Sequence, residues 1–167
     1  MEKLIIKHEN VLDENSNIKI MTLFDLYYEN FLNFNDLKCG PSKSELELFA
    51  NDIIKKIKDF VVIDMSKENT EILNNVKGIL VEDIKMYKLI KNTDFLYSEY
   101  FKNTSSMKFI YIINAVNEKE LLTIGNMKYD LHNDSLFIYP DLWNLQYRFH
   151  SPKNDNMFII VGNIIIN

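Results

Sequence analysis

With 167 residues, 47% of them hydrophobic and 13% aromatic, the chain can bury a core of its own without disulfide or metal staples. A formal net charge of −5 argues against a surface built to neutralise phosphates, which excludes DNA and RNA as expected partners. The single cysteine, Cys39, leaves no internal disulfide, and no segment approaches the roughly 18 consecutive apolar residues of a membrane span. The expectation is a soluble protein in the cytoplasm of a cell or of an infected host, or in a virion, with no membrane partner.

The pattern along the chain predicts a single domain, 1–167, with a helical and strand support region over 1–80 and a β-rich core over 81–167. The opening run "MEKLIIKHENVL" is strand-like, and His8 within it reads as an ordinary surface or turn residue. "IKIMTLFDLYYENFLNF" reads as a strand leading into a short helix. "GPSKSELELFANDIIKKIKDFVVIDM" predicts a helix: Ser44 and Glu47 have capping-box spacing, and Leu46, Phe49, Ile53, Ile57 and Phe60 recur on one face. Lys55, Lys56 and Lys58 fall mostly on the opposite, solvated face. "KENTEILNN" reads as a loop.

From there the period changes to two. "GILVEDIKMYKLI", "MKFIYIINAV", "ELLTIGN", "MKYDL", "SLFIYP", "LQYRFH" and "MFIIVGNIII" are short runs rich in Ile, Tyr, Phe and Val, separated by Asn, Asp, Gly and Pro. So many short strands predict a sandwich or barrel closing on itself, and helices followed by strands predict an α+β protein with the helices bracing one face of the sheet.

These residues carry a resemblance. The stretch from Asp83 onward resembles the double-stranded β-helix, a jelly-roll or cupin-like barrel, of the iron(II)/2-oxoglutarate dioxygenases of the prolyl-hydroxylase-like kind. "KMYKLIKNTDFLYSEYF" is similar to the approach to that family's His-x-Asp pair, and "KFIYIIN" to the strand that follows. "YDLHNDSLFIYPDLW" resembles the segment before the distal His, and "HSPKNDNMFIIVGNIII" the closing loop and strand. The family's chemistry requires two His and one carboxylate on one face of the iron. Where the resemblance implies His-x-Asp, the sequence reads "LYSEY", with Ser98 or Glu99 at the first position.

The distal His position falls on Leu145, or near Arg148 if the turn is longer, with His150 on the same strand face as Arg148. The position of the arginine that holds the 2-oxoglutarate carboxylate falls on Met157 or Phe158, neither of which forms a bidentate ion pair. Weak metal candidates are His150, His132 and Glu99, a constellation by analogy with cupins. For each histidine a plain turn, strand-end or surface role is the better reading. Asp134 and Asp155 read as hairpin-turn residues.

What stands at the two expected edges of the metal mouth is aromatic. Tyr97, Tyr100, Trp143 and Tyr147, together with Arg148, the only arginine in the chain, are the types that concentrate binding energy at protein interfaces. The same aromatics also suit the filling of an interior that holds no iron. The resulting expectation is a non-catalytic β-helix without cofactor, working through a protein partner or as a homo-oligomer. The lysine-rich, arginine-poor and asparagine-rich composition suits an AT-rich genome, that of a virus, a phage or a low-GC bacterium, and a viral or phage accessory protein or a virion component is the expected setting. The alternative is an enzyme of the resembled family, using Fe(II) and 2-oxoglutarate with divergent ligands.

Overall fold

The computed structural model describes residues 5–37, 43–68, 70–93, 106–114, 121–142 and 145–167. The chain runs through β1 (Ile6–Glu9), α1 (Glu14–Tyr27), β2 (Phe31–Asn33), α2 (Lys43–Glu68) and α3 (Thr70–Asn75). It continues through β3 (Ile79–Leu89), β4 (Met107–Asn114), β5 (Leu122–Ile124), β6 (Met127–Tyr129), β7 (Ser135–Pro140), β8 (Tyr147–Phe149) and β9 (Met157–Ile166). All seven strands expected from period two are present. None of the helices among the described residues is long and apolar enough to cross a membrane.

The amino-terminal expectations need correction. Ile18–Met21 is helix, not strand: Asp13 accepts from Ser16 N at 2.7 Å and caps α1, which then buries Asn17, Ile20 and Phe24 at helical spacing. A cap followed by a helical apolar stripe outweighs the local β-branched run. The strand comes after the helix, as β2. Helix α2 buries Leu46, Phe49, Ile53 and Ile57 as the spacing requires. It already includes Lys43, so Ser44 lies within its first turn rather than at the cap. The segment read as a loop, "KENTEILNN", is the end of α2 followed by α3.

Among the described residues, nine strands form two antiparallel sheets. The large sheet has the order β1-β7-β4-β9-β3-β2, and the small one the order β6-β5-β8. Successive strands alternate between them: β4 in the large sheet, β5 and β6 in the small, β7 back in the large, β8 in the small, β9 in the large. Gly125, at φ 59°, supplies the left-handed residue that the tight β5–β6 hairpin needs.

Side-chain alternation divides the interior into two cores. One lies between the helices and the large sheet, where Ile20, Phe24, Leu46, Phe49, Ile53 and Ile57 meet Phe109, Tyr111, Leu136, Ile138, Phe158 and Ile160. The other lies between the two sheets, where Ile110, Ile112, Phe137, Tyr139, Met157, Ile159 and Val161 meet Leu122, Ile124, Leu145, Tyr147 and Phe149. Strand β9 is hydrogen-bonded on one side to β3 and on the other to β4, and it is covered on both faces. That double burial is why "MFIIVGNIII" reads as a continuous apolar run rather than an alternation. Gly162 lies under the Phe109 ring, where a Cβ would come within 2.5 Å of it.

Among the described residues, two part-buried polar ties help hold the amino-terminal region to the barrel. The Tyr111 hydroxyl, buried in the sheet, donates to Asp134 and lies 3.0 Å from Asn17 Oδ1. Asp134 also accepts from Leu12 N at 2.8 Å. Its expected turn role holds, since φ is 61°, and its carboxylate joins the β6–β7 turn to the start of α1 as well. The second tie is His8, whose Nε2 lies 3.0 Å from Asp64 Oδ2 and whose ring stacks on Phe60 at 4.0 Å. His8 is thus a half-buried contact between β1 and α2, not the surface or turn residue expected.

Ile160 is fully buried at the centre of the large sheet. Ile160→Asp is expected to unfold the protein, because an unpaired buried carboxylate costs about 5 kcal/mol against a total stability of roughly 5–15 kcal/mol. A cooperative melt of soluble Ile160→Asp protein would remove β9 from the core.

Burial, and then the hydrogen bond and charge of Asp134, push the Tyr111 hydroxyl well above the ordinary tyrosine value of 10.0. The unfolded chain therefore loses this proton first. The stabilisation is whole below pH 10 and is lost progressively as pH rises beyond it. Tyr111→Phe is expected to cost about 1–3 kcal/mol at neutral pH and to flatten the loss of stability at alkaline pH. Denaturant melts of both proteins across that range check it, and parallel pH profiles would refute it.

Candidate functional site

The small sheet is what distinguishes this barrel's mouth, and strand register decides which of its side chains face inward. Leu122 pairs with Tyr129 and Phe149, Thr123 with Lys128 and Arg148, and Ile124 with Met127 and Tyr147. Alternation therefore sends Leu122, Ile124, Tyr147 and Phe149 into the space between the sheets, and Thr123, Lys128 and Arg148 outward.

The expected distal-ligand positions fall on both sides of that division. Leu145 is buried in the core between the sheets. Arg148 and His150 are both exposed on the outer face, sharing one strand face as expected. His150 N donates to Leu121 O at 2.8 Å, and its Nε2 lies 3.5 Å from Thr123 Oγ1. His132 is exposed in the turn between β6 and β7, where its carbonyl accepts from Ser135 Oγ at 2.7 Å. Among the described residues no three His, Cys, Asp or Glu side chains converge as a metal site would require.

The interface candidates separate in the same way. Tyr147 is buried and packs edge-on against Phe149 at 5.8 Å, so its ring belongs to the core rather than to a contact surface. Arg148 is exposed. Glu99, Tyr97, Tyr100, Trp143 and the rest of "LYSEY" lie outside the described residues.

On the co-substrate side, Met157 is fully buried and faces the small sheet. Phe158 faces the helices and meets Phe24 edge-on at 5.7 Å. An iron ion needs lone pairs from nitrogen or oxygen, and a dicarboxylate needs a cation or several N–H donors. Leu145, Phe149, Met157 and Phe158 supply none of these, so these four positions do not fit Fe(II) or 2-oxoglutarate.

One polar cluster at the rim of this interior, with Asp83 exposed, carried no signal in the sequence. Asp83, at φ 54°, occupies the β3 bulge and accepts from Asn163 Nδ2 at 3.1 Å. With Lys108, Tyr139, Tyr147 and Asn163 it lines a cavity of about 10 Å³, room for roughly one water. Lys108 and Asn163 are both buried. A lysine in an alternating strand looks solvent-facing until the second sheet is laid over it.

The sequence matches no protein-family model and no curated protein. In three dimensions it is similar to a viral collagen prolyl hydroxylase from Paramecium bursaria Chlorella virus-1. That match has 10% identity and a TM-score of 0.66, covering 96% of this chain and 89% of the other. An oxidoreductase of the 2OG-Fe(II) oxygenase family from Burkholderia pseudomallei has 6% identity and a TM-score of 0.66, with 98% and 85% covered. A Trichoplax adhaerens prolyl hydroxylase, solved with a hypoxia-inducible-factor peptide, has 12% identity and a TM-score of 0.58, with 98% and 83% covered. The chain thus has, as the resemblance implied, the α+β double-stranded β-helix fold seen in iron(II)/2-oxoglutarate oxygenase structures.

Proposed function

We propose that this chain is a non-catalytic β-helix that works by binding another protein. The observation that carries the proposal is the filling of the mouth. Every inward-facing residue of β8, together with Leu145 just before it and Met157 at the start of β9, is apolar or aromatic and buried. What the same strand offers to solvent is Arg148, beside His150. With the described lining here apolar or aromatic, the outer surface is the means of recognition we favour, and arginine is among the residues that dominate interface energies. A viral or phage accessory role is the setting we favour, supported by the arginine-poor, lysine-rich composition. The second reading, a working dioxygenase with divergent ligands, is favoured by the fold likeness to oxygenases over nearly the whole chain.

Iron separates the two readings. The purified protein is expected to bind neither Fe(II) nor 2-oxoglutarate with micromolar affinity and to release no succinate. A saturable iron isotherm accompanied by succinate production would replace the first reading with the second.

Recognition through the loop and strand after "YP" has its own test. Arg148→Ala and Trp143→Ala are each expected to weaken capture of the native partner by about 1–3 kcal/mol, with the melting temperature nearly unchanged. If Trp143 fills the core instead, its truncation costs about 3–5 kcal/mol of stability. Pull-downs paired with thermal melts distinguish these outcomes, and unchanged capture by both variants would refute recognition at this place.

A further inference from the structure

A surface cavity of about 400 Å³ lies between the first two turns of α1, the end of β4 and the β6–β7 turn. Leu12, Ile18, Met21 and Ile113 give it apolar walls, and among the described residues the only charged groups lining it are the carboxylates of Glu14 and Asp134. Glu14, Ile18 and Met21 follow one another at helical spacing along α1, so this wall passes from charge to hydrocarbon over about 10 Å. Asp134 is held in place through one oxygen. Its Oδ1 accepts from Leu12 N at 2.8 Å, from the Tyr111 hydroxyl and, at 3.4 Å, from Asn17 Nδ2, while Oδ2 has no hydrogen-bond partner among the described residues. The lysines on and against α1 are engaged elsewhere, Lys19 with Glu45 at 3.0 Å and Lys88 with Asp25 at 2.7 Å. No ion pair among the described residues neutralises Glu14 or Asp134.

From this order of groups we infer that the cavity binds a protonated primary amine on a short alkyl stem, either a free alkylamine or the lysine side chain of another protein. The inference is independent of the protein-binding reading above, whose residues lie on β8 and the loop before it. Charge complementarity and shape select the ligand together. An ammonium brings three N–H donors and a full charge to two carboxylates that lack a counterion. Its stem then lies along Ile18, Met21 and Ile113, as the hydrocarbon of a lysine lies along an apolar surface. Asn17, buried and already committed to Tyr111 and Asp134, keeps the carboxylate rigid before the ligand arrives. An anion is repelled by both carboxylates, and a neutral alcohol leaves their charge unanswered. A bare divalent cation makes no use of the apolar wall.

The test titrates the full chain with hexylamine, hexanol, hexanoate, methylamine and Mg²⁺. Two-dimensional NMR follows the backbone amides of Leu12 and Met21 and the side-chain amide of Asn17. Hexylamine is expected to shift these signals saturably, with a Kd of about 1 mM or lower, and hexanol, hexanoate and methylamine to bind at least about tenfold more weakly. Glu14→Gln should weaken hexylamine about threefold or more. Glu14→Lys, which brings an ammonium of the chain's own to the cavity, should abolish its binding. Both variants should remain folded, because Glu14 is exposed and makes no ion pair among the described residues. Two peptides with acetylated amino ends, one carrying a single lysine between neutral residues and the other acetyl-lysine in its place, separate the two sources of the amine.

Binding of the lysine peptide that is lost on acetylation assigns the cavity to a lysine of another protein. Binding of hexylamine without binding of that peptide assigns it to a free amine. Equal binding of hexanol, tighter binding of Mg²⁺ than of hexylamine, unchanged hexylamine affinity in both Glu14 variants, or no saturable shift with any amine would each overturn the inference.

Discussion

Strand β9 is the element on which the rest of the molecule depends. It lies between β3 and β4 in the sheet, with helices over one face and the small sheet over the other, so its apolar side chains from Met157 to Val161, and Ile164, pack into one or other of the two cores. Phe158 and Ile160 anchor the helical layer, while Met157, Ile159 and Val161 anchor the space between the sheets. A strand so placed is pressed to fill volume on both sides, and at the position the resemblance implied for a cation it carries Met157 or Phe158. Gly162 marks how close the packing is, because Phe109 lies where a side chain would be.

The carboxyl-terminal half was legible because its signals are local. Period-two runs of β-branched and aromatic residues, each closed by Asn, Asp, Gly or Pro, specify strands and turns without knowledge of the partner strand, and the seven runs gave seven strands. The amino-terminal half was less legible because its outcome depends on distant partners. Ile18–Met21 has strand composition but follows a cap at Asp13, and α1 is held by Tyr111 and Asp134 from the far end of the chain. His8 looked ordinary because the carboxylate that meets it, Asp64, belongs to another element 56 residues away.

The site was legible in outline and undecided in parity. Counting from "YP" placed the distal position on Leu145 or near Arg148, and those two residues face opposite sides of the small sheet. Only register separates them: Tyr147 opposite Ile124 goes in, and Arg148 opposite Thr123 goes out. A one-residue difference in turn length reverses every such assignment, which spacing from a single sequence does not resolve. The polar set of Asp83, Lys108 and Asn163 was hidden for a related reason. Its members come from three strands, and their common location exists only once β3, β4 and β9 are paired.

The order of strands in the large sheet bears on how the protein comes to be made. Edge strand β1 adds to β7, and β3 waits for β9, so the pairings that complete the sheet join the beginning of the chain to its later parts. During synthesis, β3, β4 and β7 leave the ribosome before the strand that separates β3 from β4 exists. One edge each of β3 and β4 stays unpaired until β9 appears. Such a nascent chain has few local contacts to hold it compact, folds slowly for its size, and presents a natural client surface to chaperones.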